Sequence, residues 1–292
     1  MRRFSLALGD GQLAGLNFGP EAGPIGLVFL HATGFNALTY RQLLAPLAER
    51  IRVVAIDLRG HGLSSLPAHP GRLTHWRGYA DDLIRALAQL NAGLPPPGLI
   101  AGHSMGGTVG LLALAREPAL ARGLLLIDPA LVPRPWRRWL RLPFAPLMLR
   151  RRLPIARAAG RRRAVFGSAE EVLQSYQGRG AFKTWQPGFL ADYIEDGFAP
   201  LPSGGVRLRY APAWEAATFA GHRHDTEAAL RALRVPVHLM MAGRGSTIGR
   251  ELPVLRANAP ALSVEAMPEC THFIPMEAPQ QVRDRILAML GA

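Results

Sequence analysis

At 292 residues the chain is too long for a minimal domain and suits one large α/β core carrying an inserted subdomain, with room to bury an active site. Its composition, 49% hydrophobic and 19% charged, excludes a disordered chain. The formal charge of +13 and pI near 11.3 direct attention to polyanions, yet the cations are nearly all arginine, with Lys183 the only lysine, and many crowd between Arg134 and Arg163 rather than along a DNA-binding helix, so nucleic acid is not an expected partner.

In chain order, Met1-Arg2-Arg3 leads into Phe4 to Leu16, a stretch broken by Gly9, Asp10, Gly11 and Gln12. That is too interrupted for the apolar region of a signal peptide and reads as a strand hairpin. Ile25 to Leu30 reads as a strand, Leu38 to Arg50 as a helix and Ile51 to Leu58 as the next strand. Trp76 to Leu90 is a helix with apolar positions at Tyr79, Leu83, Ala86, Leu87 and Leu90. After Pro95-Pro96-Pro97-Gly98, a short strand from Leu99 to Gly102 runs into Ser104 and a helix from Met105 to Arg116. Gly123 to Ile127 is another buried strand, ending in Asp128-Pro129. Short apolar runs alternating with amphipathic stretches predict a mostly parallel sheet with crossover helices.

From Leu131 to about Arg231 the strand rhythm stops, and arginine, tryptophan, proline and glycine become frequent. Strands return at Val235 to Met241 and, more weakly, at Leu262 to Met267, before an amphipathic helix from Pro275 to Leu290. The expected organisation is a core of residues 1–130 and 232–292 interrupted by a mainly helical cap over 131–231. No stretch reaches the length of a membrane span. The single cysteine, Cys270, cannot form an internal disulfide and suits a reducing compartment, so a cytoplasmic location is expected.

The chemistry concentrates at Gly102-His103-Ser104-Met105-Gly106, a G-x-S-x-G between a predicted strand and a predicted helix. A sharp turn there lifts the serine hydroxyl above the strand ends, and the helix that begins beside it presents backbone N–H groups to a developing oxyanion. A glycine-rich turn with an incidental serine is the competing reading, and the placement argues against it. His31-Ala32-Thr33-Gly34-Phe35-Asn36 follows the first parallel strand and faces the same sheet edge. Thr33 is therefore the expected second amide of an oxyanion hole with Met105, and His31 itself is expected to be structural.

These segments, with Asp57-Leu-Arg-Gly-His-Gly and Thr271-His272-Phe-Ile-Pro-Met-Glu-Ala-Pro, resemble the α/β-hydrolase superfamily. Four spaced motifs fall in the right order on both sides of the predicted cap. The resemblance implies an eight-stranded, mostly parallel sheet with helices on both faces, a lid over the strand ends, a serine–histidine–acid triad, a small-molecule substrate, and no metal or organic cofactor. It makes Ser104 the nucleophile and His272 its base, and treats Asp57 and His61 as structural. In such proteins the acid most often follows the strand equivalent to Val235–Met241, but here that loop reads Ala242-Gly243-Arg244-Gly245-Ser246-Thr247, without a carboxylate. The second placement the family uses, after the strand that follows the nucleophile helix, offers Asp128; Glu251 is the fallback. A serine nucleophile favours acyl-enzyme chemistry over dehalogenation or epoxide opening.

Phe35, His103, Trp185 and Trp214 are candidate substrate-binding residues, and Tyr193, Phe198 and Phe219 can line the same pocket or form cap core. Arg134-Pro-Trp-Arg-Arg-Trp-Leu-Arg-Leu, with Arg150-Arg-Arg and Arg161-Arg-Arg, forms either a solvated helix face whose tryptophans pack on the core, or a basic surface that rests on an anionic membrane or steers an anionic substrate toward the site. The expected activity is hydrolysis of a carboxylic ester of a small to medium apolar substrate through an acyl-serine. Carbon–carbon bond hydrolysis of a diketone or dienoic metabolite is the alternative within hydrolases, and a non-catalytic ligand-binding protein on the same scaffold is the alternative outside them.

Overall fold

The computed structural model of the chain describes residues 1–9, 11–131, 137–140, 142–259 and 261–292, the side chains of 137 and 250 excepted. Asp10 of the predicted hairpin turn, and residues 132–136 and 141 of the predicted cap, including Arg134, Trp136 and Arg141, lie outside the described residues. Eleven strands are described: β1 (Arg2–Ala7), β2 (Gln12–Phe18), β3 (Leu27–Leu30), β4 (Val53–Ile56), β5 (Leu99–His103), β6 (Leu124–Ile127), β7 (Val165–Phe166), β8 (Phe198–Pro200), β9 (Val206–Leu208), β10 (Val237–Ala242) and β11 (Leu262–Met267). Eight of them form one sheet in the order β1-β2-β4-β3-β5-β6-β10-β11. The first two are the expected hairpin and β2 pairs antiparallel with β4; every pairing beyond β4 is parallel.

A parallel strand covered on both faces must be apolar on both, and β3, β4 and β6 read LVFL, VVAI and LLLI with every residue buried. The period of two then divides them between two cores. Leu27, Phe29, Ala101 and Leu125 face a cluster completed by Val282 and Ile286 of the terminal helix. Val28, Leu30, Ile100 and Leu126 face the other, with Leu83 from the Arg77–Leu90 helix and Val109 from the Met105–Arg116 helix.

Two predicted helices are broken, each at a proline. The one expected over 38–50 is a 3₁₀ turn (Leu38–Tyr40), one α turn (Arg41–Leu44) and a second 3₁₀ segment (Ala45–Glu49). Pro46 has no N–H to offer the Gln42 carbonyl, which instead accepts from Arg283 at 3.1 Å. The terminal helix divides into Ile274–Glu277 and Pro279–Leu290, because Pro279 drives Ala278 to φ −133°.

Between β6 and β10 the chain adds short helices and a separate three-stranded sheet, β7-β9-β8, that the sequence did not announce. The last helix of this stretch, Thr226–Ala232, packs beneath the main sheet against the Met105–Arg116 helix, with Ala229 and Leu230 in the second core. Among the described residues no helix is long and apolar enough to cross a membrane.

Candidate active site

Among the described residues only two that are not glycine have positive φ: Ser104 (φ 53°) and Asp128 (φ 41°). Such strain costs on the order of 1–3 kcal/mol per residue and persists where surrounding bonds over-determine the backbone. Ser104 sits between β5 and the Met105–Arg116 helix; its N–H donates to the Ile127 carbonyl at 3.0 Å and its carbonyl accepts from Ala130 at 3.2 Å. A β-carbon on Gly106 would lie 2.2 Å from the Leu30 carbonyl oxygen, so only glycine lets the helix start against the end of β3. Met105 is the first residue of that helix, where an N–H has no intrahelical acceptor. The Thr33 hydroxyl reaches the Met105 sulfur at 3.4 Å, so the two residues expected to hold an oxyanion are neighbours.

Asp128, at the end of β6, is fully buried, and its Oδ2 lies 2.6 Å from His272 Nδ1. A carboxylate only accepts, so Nδ1 carries the imidazole proton and Nε2 is left as a base. The loop after β10, which lacks a carboxylate of its own, donates to Asp128 instead: Ser246 Oγ at 2.5 Å and the Ala242 amide at 3.2 Å to Oδ1, the Thr247 amide at 3.0 Å and Oγ1 at 3.1 Å to Oδ2. Burial pushes the Asp128 carboxyl up, but the bonds from His272, Ser246 and Thr247 outweigh it and hold the pKa below the ordinary value. Glu251 is buried in the Gly249–Glu251 turn, while the Nδ1 of His272 is taken by Asp128.

His103, a candidate for substrate contact, is buried beneath the site. Its Nε2 lies 2.8 Å from the His272 carbonyl oxygen and its Nδ1 2.8 Å from the Tyr40 hydroxyl, which accepts from the Ala32 amide at 3.0 Å. Burial lowers the His103 pKa to about 3, so the ring is neutral, donating from Nε2 and accepting at Nδ1. His31 and Asp57 are structural, as expected. The His31 ring spans the Ala32 carbonyl and the Leu58 amide, and Asp57 accepts from the Ala37 and Leu63 amides. His61 is buried against His31, its Nδ1 beside the Arg59 carbonyl.

Ser104 and His272 open onto a cavity of about 420 Å³, walled by Thr33, Phe35, Phe219 and Phe273 on its apolar side. Trp185 stands behind Phe35, ring centroids 5.2 Å apart and edge-on. Trp214 lies elsewhere: its indole covers Gly60 and donates to the Arg59 carbonyl at 3.1 Å, so it is packing rather than pocket. Tyr193 and Phe198 are buried inside the insertion.

One wall is polar in a way the sequence did not disclose. Arg162 donates to the Tyr176 hydroxyl at 3.2 and 3.3 Å, to Tyr193 at 2.6 Å and to Tyr210, and lies 3.5 Å from Glu215. Burial alone would lower its pKa, but Tyr193, Tyr210, Glu215 and Tyr176 together raise it, so the guanidinium stays charged. Burial in turn raises the Glu215 carboxyl against the pull of Arg162. Arg162, expected in the solvated or membrane-facing arginine run, is instead enclosed by this cluster, because its guanidinium finds Glu215 and three tyrosines. No local pattern points to Tyr40 or to the cluster, whereas Ser246-Thr247 carry a signal, two donors where a carboxylate is missing.

The family model described as "Alpha/beta hydrolase family" matches residues 27–285. The 2-(acetamidomethylene)succinate hydrolase of Mesorhizobium japonicum is 28% identical over 271 residues, spanning 89% of this chain and 85% of that protein. Protein phosphatase methylesterase 1 of Homo sapiens is 34% identical over 110 residues, 36% of this chain and 28% of its own length. The crystal structure of E-2-(acetamidomethylene)succinate hydrolase superposes with a TM-score of 0.80 at 24% identity, covering 100% of this chain and 99% of that one. A Mycobacterium tuberculosis esterase gives 0.72 at 20% identity, covering 100% and 92%. At these identities the superpositions show the shared fold alone.

Proposed function

We infer that this chain, which belongs to the alpha/beta hydrolase family, cleaves a carboxylic ester of a small to medium apolar substrate through an acyl-serine. The observation that carries the reading is the 2.6 Å contact between Asp128 and His272 beside a cavity onto which Ser104 also opens. In the reaction Ser104 Oγ bonds to the ester carbonyl carbon as its proton passes to His272 Nε2. The amides of Thr33 and Met105 hold the tetrahedral oxyanion. Collapse expels the alcohol, which takes the proton from His272; water, deprotonated by the same imidazole, then releases the acid and restores Ser104. Asp128 holds the tautomer and balances the imidazolium. The 131–231 segment, apart from the Thr226–Ala232 helix that packs on the core, acts as the cap, its residues 155–182 and 215–219 supplying most of the cavity wall.

The second reading is carbon–carbon bond hydrolysis of a diketone or dienoic metabolite, and it stands beside the first because the relative matched over 89% of this chain is named for hydrolysis of 2-(acetamidomethylene)succinate rather than of a simple ester. A fluorophosphonate probe with p-nitrophenyl esters of increasing chain length, beside a diketone and dienoate panel, tests both. Labelling at Ser104, and ester turnover lost by about 10⁴-fold or more in Ser104→Ala, is the expected result. Turnover confined to the diketones or dienoates would select the second reading. Absent labelling and turnover in folded protein would overturn both and favour a ligand-binding role.

A further inference from the structure

The stretch from Pro129 to Ala169 contains eleven arginines and no Asp or Glu, so it holds nearly all of the net +13 and the rest of the chain is close to neutral. The same stretch carries an unusual share of exposed apolar surface. Leu142 (38%), Phe144 (51%), Leu147 (51%) and Ile155 (50%) fall within fourteen residues, whereas the other large exposed hydrophobics among the described residues are Met1 and Val165. Leu147 lies on the Ala145–Arg152 helix and Ile155 on the Pro154–Gly160 helix that packs beside it. Ala145, Ala156 and Ala159 on these helices are buried and Leu149 packs against Leu140 and Ala145, while Leu147 and Ile155 are left outside. The described ion pairs of the stretch engage Arg162 with Glu215 and Arg163 with Glu171, leaving the exposed Arg151, Arg152, Arg157 and Arg161 without a described carboxylate partner.

We propose that this face, Leu142 to Arg161, docks on the surface of an anionic lipid bilayer, its apolar side chains entering the headgroup region and its arginines meeting the lipid phosphates. Exposed leucine, isoleucine and phenylalanine beside exposed arginines suit a surface that is apolar beneath and anionic on top. A nucleic-acid backbone would use the arginines and gain little from the aliphatic side chains. Ile155 belongs to both the face and the cavity wall, so docking brings the cavity to the interface where apolar esters accumulate. That last step rests on the hydrolase reading; the docking does not.

The test is co-sedimentation of the full chain with phosphatidylcholine vesicles containing about one-third phosphatidylglycerol, against vesicles of phosphatidylcholine alone. Binding to the anionic vesicles only, abolished at about 1 M salt, is expected. Arg151→Gln with Arg152→Gln should weaken it about five-fold per arginine, and Phe144→Ser with Leu147→Ser about tenfold or more, with circular dichroism verifying the fold of each. Ser104→Ala should bind as the unaltered chain does, which separates this proposal from the catalytic one. Failure to bind anionic vesicles overturns it, as does equal binding to the neutral ones. Undiminished binding by the Phe144/Leu147 variant, with displacement by duplex DNA, would assign the face to polyanions instead and overturn it equally.

Discussion

His103 Nε2 stands 2.8 Å from the carbonyl oxygen of His272, so the residue before Ser104, the proposed nucleophile, grips the main chain of His272, the proposed base. Through Tyr40 the same ring is joined to the Ala32 amide, next to Thr33. One neutral imidazole thus ties together the segments that carry Ser104, His272 and Thr33.

Tyr40→Phe removes the middle of that chain without emptying the core. The loss of one buried hydroxyl is expected to cost about 1–3 kcal/mol in unfolding free energy. Turnover of a p-nitrophenyl ester should fall about tenfold in kcat with KM little changed, because the loops loosen around the reacting atoms rather than around the substrate. An unchanged kcat would reduce Tyr40 to packing.

Asp128→Asn keeps the shape and loses the acceptor that selects the productive tautomer. A drop of about 10⁴-fold in kcat is expected, with Glu251→Gln within about twofold of the unaltered chain. If Glu251→Gln were the crippling change instead, the acid would have to be reassigned.

Acid should unfold this protein early. Burial lowers the pKa of His61 and His222 to about 4 and of His103 to about 3, and holds His31 and His224 well below the ordinary value. Between those folded values and about 6.5 the unfolded chain binds protons that the native one refuses, so stability falls as pH drops through that window. The loss approaches about 1.4 kcal/mol per such histidine by about pH 5.5. Urea midpoints at about pH 7.5 and about pH 5.5 measure it, and equal midpoints would contradict the burial of these rings.

Arg162→Met strands the Glu215 carboxyl in the cavity wall and takes the guanidinium from the Tyr176, Tyr193 and Tyr210 hydroxyls. It should destabilise by about 3 kcal/mol or more, as when one half of a buried ion pair is removed. Arg162→Lys should recover only part of this, since an ammonium cannot replace the planar fork that reaches Tyr176, Tyr193 and Tyr210 together. Thermal melting of the two variants decides, and full recovery by lysine would mean that charge alone matters.

Much of the core was legible because it depends on local pattern. LVFL, VVAI and LLLI are short apolar runs bounded by turn residues, as strands buried on both faces are, and G-x-S-x-G between a strand and a helix demands a turn of the kind seen at Ser104. The helices over 38–50 and 275–290 were less legible because periodicity ran through Pro46 and Pro279, where the missing N–H and the restricted preceding residue prevail over an apolar face.

Residue type and spacing nominated Ser104, at a strand end whose direction the alternating pattern predicts, and the resemblance to the α/β-hydrolase superfamily added His272 and Asp128. Only the tertiary structure decided that His103 is buried against the His272 main chain, that Trp214 covers Gly60 instead of lining the cavity, and that Arg162 is enclosed by Tyr176, Tyr193, Tyr210 and Glu215. Backbone direction follows from local sterics and hydrophobic period, which a sequence displays. The partner that a buried polar side chain finds depends on which distant segment folding brings within about 3 Å of it, and no local pattern encodes that distance.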